Sequence, residues 1–139
     1  MNTVTRIHDS LFGIIPYVAP EILKAGKIEQ CPYTKHSDIY SLGVLLWEIS
    51  SGKTPFEDYR DYTIIAKILS GDREERILDT PDEYYKLYSK CWDDKPENRH
   101  TIENVYEVLE KLLNVNHNDD DETNISENKG KIDYNIGLL

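Results

Sequence analysis

Two cysteines, Cys31 and Cys91, and four histidines, His8, His36, His100 and His117, are the residues best suited to hold a transition metal. Their spacing argues against that use. No HxxxH or CxxH pair occurs, and the cysteines lie 60 residues apart with no second cysteine near either, so neither opens a CxxC zinc or redox motif. They read instead as reduced thiols of an intracellular protein rather than a disulfide. Cys91 lies on an apolar helical face, where cysteine behaves as a small hydrophobe. Carboxylates are the abundant charged groups: 26 Asp and Glu face 16 Lys and Arg, a formal charge of −10. Gripping a phosphate backbone or an anionic bilayer needs clustered cations, so no nucleic acid and no membrane is expected as a partner.

These groups must be positioned by a chain of 139 residues, enough for one modest domain and a tail and too short for a two-domain enzyme. The longest mainly apolar stretch, Ile39 to Ile49, is interrupted by Glu48 and falls short of the roughly 20 residues needed to cross a bilayer. Residues 1 to 30 carry no basic start followed by an apolar core, so export is disfavoured and a cytoplasmic location is expected. Residues 114–139 carry six acidic and two basic side chains and open on Asn114-Val-Asn-His-Asn-Asp-Asp-Asp-Glu122. So little apolar surface does not offset the entropy of ordering, and the segment reads as a disordered acidic tail rather than a functional acidic arm. The Asn124-Ile125-Ser126 glycosylation triplet matters only in a secreted protein.

Four helices are predicted ahead of that tail. Ser37 as N-cap and Gly52 as stop bracket Asp38 to Ser51, whose Ile39, Leu42, Val44, Leu45, Leu46, Trp47 and Ile49 leave almost no polar face, which makes this helix central. A second, about Tyr62 to Ser70, places Ile64, Ile65, Ile68 and Leu69 on one side and stops at Gly71. Thr80 as cap and Pro81 at the first helical position introduce a third, with Tyr84, Leu87, Tyr88 and Cys91 at i, i+3, i+4 and i+7. Thr101 caps the last, where Ile102, Val105, Tyr106, Leu109, Leu112 and Leu113 form an apolar stripe. Its Thr101-Ile-Glu-Asn104 start lacks the acid of a full capping box. No strand alternates convincingly, so the class is mainly α.

Three segments say more than periodicity. Gly13-Ile-Ile-Pro-Tyr-Val-Ala-Pro-Glu21, Ser37-Asp-Ile-Tyr-Ser-Leu-Gly-Val-Leu-Leu-Trp-Glu48 and Cys91-Trp-Asp-Asp-Lys-Pro-Glu-Asn-Arg99, in this order, resemble the C-terminal lobe of a eukaryotic protein kinase domain over about residues 11–113. The Pro-Tyr-Val-Ala-Pro-Glu form is similar to Ser/Thr kinases, and Cys91-Trp92 to their tyrosine-kinase-like branch. The implied fold is partial, with the C-lobe helices only. Residues 1–12 would be a remnant of the activation segment or an unrelated leader, 13–113 the lobe fragment, and 114–139 the tail.

The resemblance gives residues roles that their types alone would not. Glu21, by type a surface carboxylate, would pair with Arg99, whose planar fork can bond a carboxylate twice. Asp38 would accept backbone N–H bonds from a catalytic loop. Without that loop it is a helix-start acid favoured by the dipole. Trp92 would fill core space rather than recognise a ligand. Gly13, Ile14, Ile15, Pro16 and Tyr17 would lie beneath a peptide substrate. Family members commonly have Thr where Ile14 stands, so the resemblance implies that even a complete domain would lack that hydrogen bond to the catalytic Asp and would have altered substrate alignment or Ser/Thr selection. Thr3, Thr5 and Ser10 precede this loop where activation segments are often phosphorylated.

Phosphoryl transfer needs a Gly-rich loop, a strand Lys with its Glu partner, a catalytic-loop Asp and Asn, and the magnesium-binding Asp of Asp-Phe-Gly. None is in this sequence, and His8-Asp9 lacks the neighbouring Arg and downstream Asn. No catalytic, cofactor-binding or metal residue is therefore assigned. ATP and magnesium belong to the complete domain, whose parent would phosphorylate protein Ser/Thr, and the chain alone is expected to be inactive. The alternative is a noncatalytic helical module. Implied partners are the missing kinase half, a protein substrate or a scaffold. An unrelated helical adaptor would leave three ordered motifs to chance. Because upstream elements would cover part of the central helix, some apolar surface should stay open in the isolated chain.

Overall fold

The computed structural model describes residues 13–25 and 33–118, with side chains in the last helix described through Asn114. A 3-10 turn at Ile15–Tyr17 leads into α1 (Pro20–Ala25). It is followed by α2 (Lys35–Ser51), α3 (Asp61–Leu69), α4 (Asp82–Cys91), a second 3-10 turn at Pro96–Asn98, and α5 (Ile102–Asn118). No strand occurs among the described residues, and the chain has the helical build of a kinase C-lobe.

The central helix begins earlier than Ser37. Thr34 is its N-cap: its Oγ1 accepts the Ser37 N–H at 3.3 Å, while Ser37 Oγ accepts the Thr34 N–H at 3.3 Å. Ser37 thus closes a capping box from the third position, the place a Glu or Gln ordinarily takes. Gly52, at φ 65°, ends the helix with its N–H on the Glu48 carbonyl. Such a left-handed position suits glycine.

Core packing runs chiefly between α2 and α4. Tyr40, Val44 and Trp47 of α2 and Leu87, Tyr88 and Cys91 of α4 are buried together. Gly43 permits this closeness: a Cβ there would stand 2.7 Å from Cys91 Cβ and 3.0 Å from the Trp92 nitrogen. Tyr84 Oη donates to the Leu46 carbonyl at 2.8 Å, and Trp47 Nε1 to the Glu75 carbonyl at 2.9 Å. The latter ties the α3–α4 connection across the central helix.

Apolar composition did not mean burial all round. Leu45 and Ile49 of α2 are 43% and 67% exposed and Leu42 is half-buried, a continuous strip at i, i+3, i+7. The opposite omission is a polar stripe: Ser37, Ser41 and Glu48 recur at i, i+4, i+11 and face the 3-10 turn and α1.

Other boundaries shift for local reasons. Helix α3 starts at Asp61, with Ile64 and Ile68 buried. Thr80 does not cap α4. Pro81, at φ −56° and ψ 140°, is the N-cap, and the buried Thr80 instead offers its carbonyl to Arg76. Thr101 does cap α5, and the box is completed without an acid: Asn104 Oδ1 accepts the Thr101 N–H at 3.3 Å. Of the stripe on α5 only Val105 is buried, with Leu109 and Leu112 half-buried; Ile102, Tyr106 and Leu113 are exposed. The helical backbone continues to Asn118, past the boundary set at Leu113, because no Gly or Pro interrupts it and propagation is cheap once a helix has formed. Residues 1–12, with Thr3, Thr5, His8, Asp9 and Ser10, lie outside the described residues, as do Cys31 and 119–139.

Candidate functional site

The site is a short loop fastened to the polar stripe of α2. Gly13, at φ 80°, turns the chain, and Ile14 then projects with about half its surface exposed. Pro16 sets the following 3-10 turn, whose hydrogen bonds run from Tyr17 N to the Ile14 carbonyl and from Val18 N to the Ile15 carbonyl, both at 3.0 Å. Ile15 is fully buried and anchors the underside.

Tyr17 fastens the loop's far end twice. Its hydroxyl donates to Glu48 Oε2 at 2.5 Å, and its carbonyl accepts from Ser41 Oγ at 2.7 Å. Burial, then the bond to Glu48 and that carboxylate's charge, push the Tyr17 phenol up to about 12. It therefore stays a donor at any physiological pH.

One turn farther on, Glu21 of α1 meets Arg99. Arg99 Nη1 reaches Glu21 Oε1 at 2.9 Å and Nη2 reaches Oε2 at 2.8 Å, a bidentate pair between residues 78 apart in sequence. Ser37 Oγ adds a donor to Oε1 at 3.2 Å. The guanidinium is itself fully buried and donates to the carbonyls of His36 and Asp93, at 2.9 and 2.8 Å, and of Asp94. Burial raises the Glu21 carboxyl, but the bonds and charge of Arg99, with Ser37, outweigh it and hold the group below its ordinary value.

Asp38 takes no part in these bonds and stands exposed in the first turn of α2. Trp92 is buried at the end of α4 with its ring edge-on to Tyr88, centroids 5.1 Å apart. No group of three or more His, Cys, Asp or Glu placed to hold a metal ion occurs among the described residues. Glu21 and Glu48 are committed to Arg99 and Tyr17.

The family model for protein tyrosine and serine/threonine kinases matches residues 3–109. The chain belongs to this kinase family. It is 34% identical over 100 residues to a probable LIM domain-containing serine/threonine-protein kinase of Dictyostelium discoideum, covering 72% of this chain and 10% of that protein. It is 36% identical over 127 residues to macrophage colony-stimulating factor 1 receptor 2 of Takifugu rubripes, covering 88% of this chain and 12% of the receptor. To the proto-oncogene tyrosine-protein kinase ROS of Mus musculus it is 32% identical over 106 residues, 74% of this chain and 4% of that kinase. The chain thus spans a small part of these kinases, roughly a tenth of the first two.

The kinase motifs point to the loop, Glu21 and Arg99 but not to Ser37, Ser41 and Glu48 as the groups that receive them. The readable signal was the spacing of those three: three polar residues on one face of an otherwise apolar helix need partners when that face is covered. Arg73, which donates to the Trp92 carbonyl at 3.0 Å, had no sequence signal.

Proposed function

We propose that this chain supplies the substrate-side surface of a kinase catalytic domain that transfers the ATP γ-phosphate to protein serine or threonine, and that the 139-residue polypeptide alone does not transfer phosphate. The observation that carries this reading is the double attachment of the Gly13–Tyr17 loop, by Glu48 and Ser41 at Tyr17 and by Arg99 and Ser37 at Glu21. A peptide lying across the loop would meet a fixed surface, which lowers the entropy lost on aligning it. The preference for serine and threonine rests on Pro16-Tyr-Val-Ala-Pro-Glu21 and the tyrosine-kinase-like branch on Cys91-Trp92. The relatives include kinases named for either specificity. Ile14 offers no hydroxyl and would contact a substrate only through apolar surface.

ATP and magnesium would be held by residues other than those described, in a cytoplasmic setting where ATP is abundant. No helix among the described residues is long and apolar enough to cross a membrane. A noncatalytic module is favoured by one observation, the open apolar strip of Leu45 and Ile49, which suits a partner surface. Calorimetric titration with ATP and magnesium, beside a radiolabelled transfer assay, tests the reading. No saturable binding and no transfer are expected from the chain alone. Supplying the upstream half of its own kinase domain should restore transfer to Ser/Thr peptides over Tyr peptides. Turnover by the chain alone, lost on an internal point change, would overturn the proposal.

A further inference from the structure

Arg73, in the connection between α3 and α4, lies outside the loop and its two attachments, yet two of its three guanidinium nitrogens are spent on the segment that carries Arg99. Nε donates to the Trp92 carbonyl at 3.0 Å and Nη2 to Asp94 Oδ1 at 2.5 Å, while Nη1 closes on the carbonyls of Asp72 and Ile68 at 2.7 and 3.3 Å. Arg99 hangs on the same short stretch through the carbonyls of Asp93 and Asp94. The two guanidinium carbons also share one ring: each stands 5.2 Å from the centroid of the fully buried Tyr40. Two cations beside one ring repel each other and are stable there because each has its own carboxylate, Asp94 for Arg73 and Glu21 for Arg99. Gly71 makes room for this: a Cβ on it would come within 3.2 Å of Asp94 Oδ2.

We propose that Arg73 is a positioning residue for the Glu21–Arg99 bridge, fixing the Trp92–Asp94 backbone and the Tyr40 ring from which Arg99 is aimed. The distant α3–α4 connection thereby governs how firmly α1 is held. On the substrate-side reading above, it also governs the far end of the Gly13–Tyr17 loop. Lysine cannot replace it, since a single ammonium cannot reach the Trp92 carbonyl, the Asp94 carboxylate and the two α3-end carbonyls from one fixed plane.

The test is a carbon-13 carboxyl NMR titration of Glu21 in the full 139-residue chain, with Arg73→Lys and Asp94→Asn. Its outcome does not depend on phosphate transfer, so it can fail while the kinase reading stands. Arg73→Lys keeps the charge and loses the fork, and the Glu21 midpoint should move up toward the ordinary carboxyl value. Asp94→Asn separates positioning from field by sign. Removing a nearby negative charge would by itself lower the Glu21 midpoint, whereas a loosened Arg99 raises it. Asp94 is half-exposed, so this variant should fold even where Arg73→Lys does not. A rise in Asp94→Asn supports the proposal. An unchanged or lowered midpoint in that variant overturns it.

Discussion

Breaking the Glu21–Arg99 bridge from either side should cost unequal amounts, because the two partners differ in what they leave behind. The Arg99 side chain is 0% exposed and that of Glu21 29%. Glu21→Ala strands a buried guanidinium that keeps the carbonyls of His36, Asp93 and Asp94 as acceptors. Its cost should sit at the low end for a broken buried pair, about 3 kcal/mol. Arg99→Ala removes those donors as well, empties the space beside Tyr40 and leaves Glu21 with Ser37, so its cost should be nearer 5 kcal/mol. Small domains have about 5–15 kcal/mol in all. The melts are therefore best run in a stabilising osmolyte, followed by the fluorescence of Trp47 and Trp92. The double variant should lose less than the sum by 1 kcal/mol or more, about the coupling of residues sharing a network. Additive losses, or a Glu21→Ala cost equal to or above that of Arg99→Ala, would refute the reasoning.

Gly43→Ala gains up to about 1 kcal/mol of helix propensity but forces a methyl against Cys91 and the Trp92 backbone, an overpacking that costs about 1–3 kcal/mol. A lowered denaturation midpoint is expected, and a raised one would mean that α2 and α4 part without cost. Glu21, with its folded carboxyl below the ordinary value of 4.5, contributes stability that is present above that value and lost as pH falls through the folded one. Glu21→Gln should therefore flatten the acid side of a melting-temperature profile while leaving its shape near neutrality unchanged. The exposed strip of Leu45 and Ile49 should make the isolated chain bind a hydrophobic dye and self-associate in sedimentation. Leu45→Gln with Ile49→Gln should reduce both.

The helices were legible in the sequence because their signals are local. Gly52 and Gly71 mark turns whose backbone favours glycine, and Leu87, Tyr88 and Cys91 keep helical spacing. Starts were less legible. Thr34 and Ser37 are both able to cap, and only the reciprocal bonds of the folded helix show which does. The short α1 escaped notice because six residues cannot display a period. On α5 the apolar stripe was real but too wide: periodicity marks the face that can be buried, while the neighbouring elements decide how much of it is. Within the site, motifs named the residues at the ends of bonds; the spacing of Ser41 and Glu48 on α2 marks them as needing partners, but which partners they take, and the part played by Arg73, became visible only when helices distant in sequence were brought together.

The closeness of α2 and α4 at Gly43 makes Cys91 a natural gauge of breathing between them. Its surroundings are closed by backbone as well as side chains, and burial pushes the thiol up to about 12. Only the thiolate reacts with alkylating reagents. At neutral pH its modification must therefore wait until the two helices separate far enough to admit water. The labelling rate of Cys91 in a Cys31→Ser background would then report the free energy of that local opening, distinct from global unfolding, without any probe being introduced into the core.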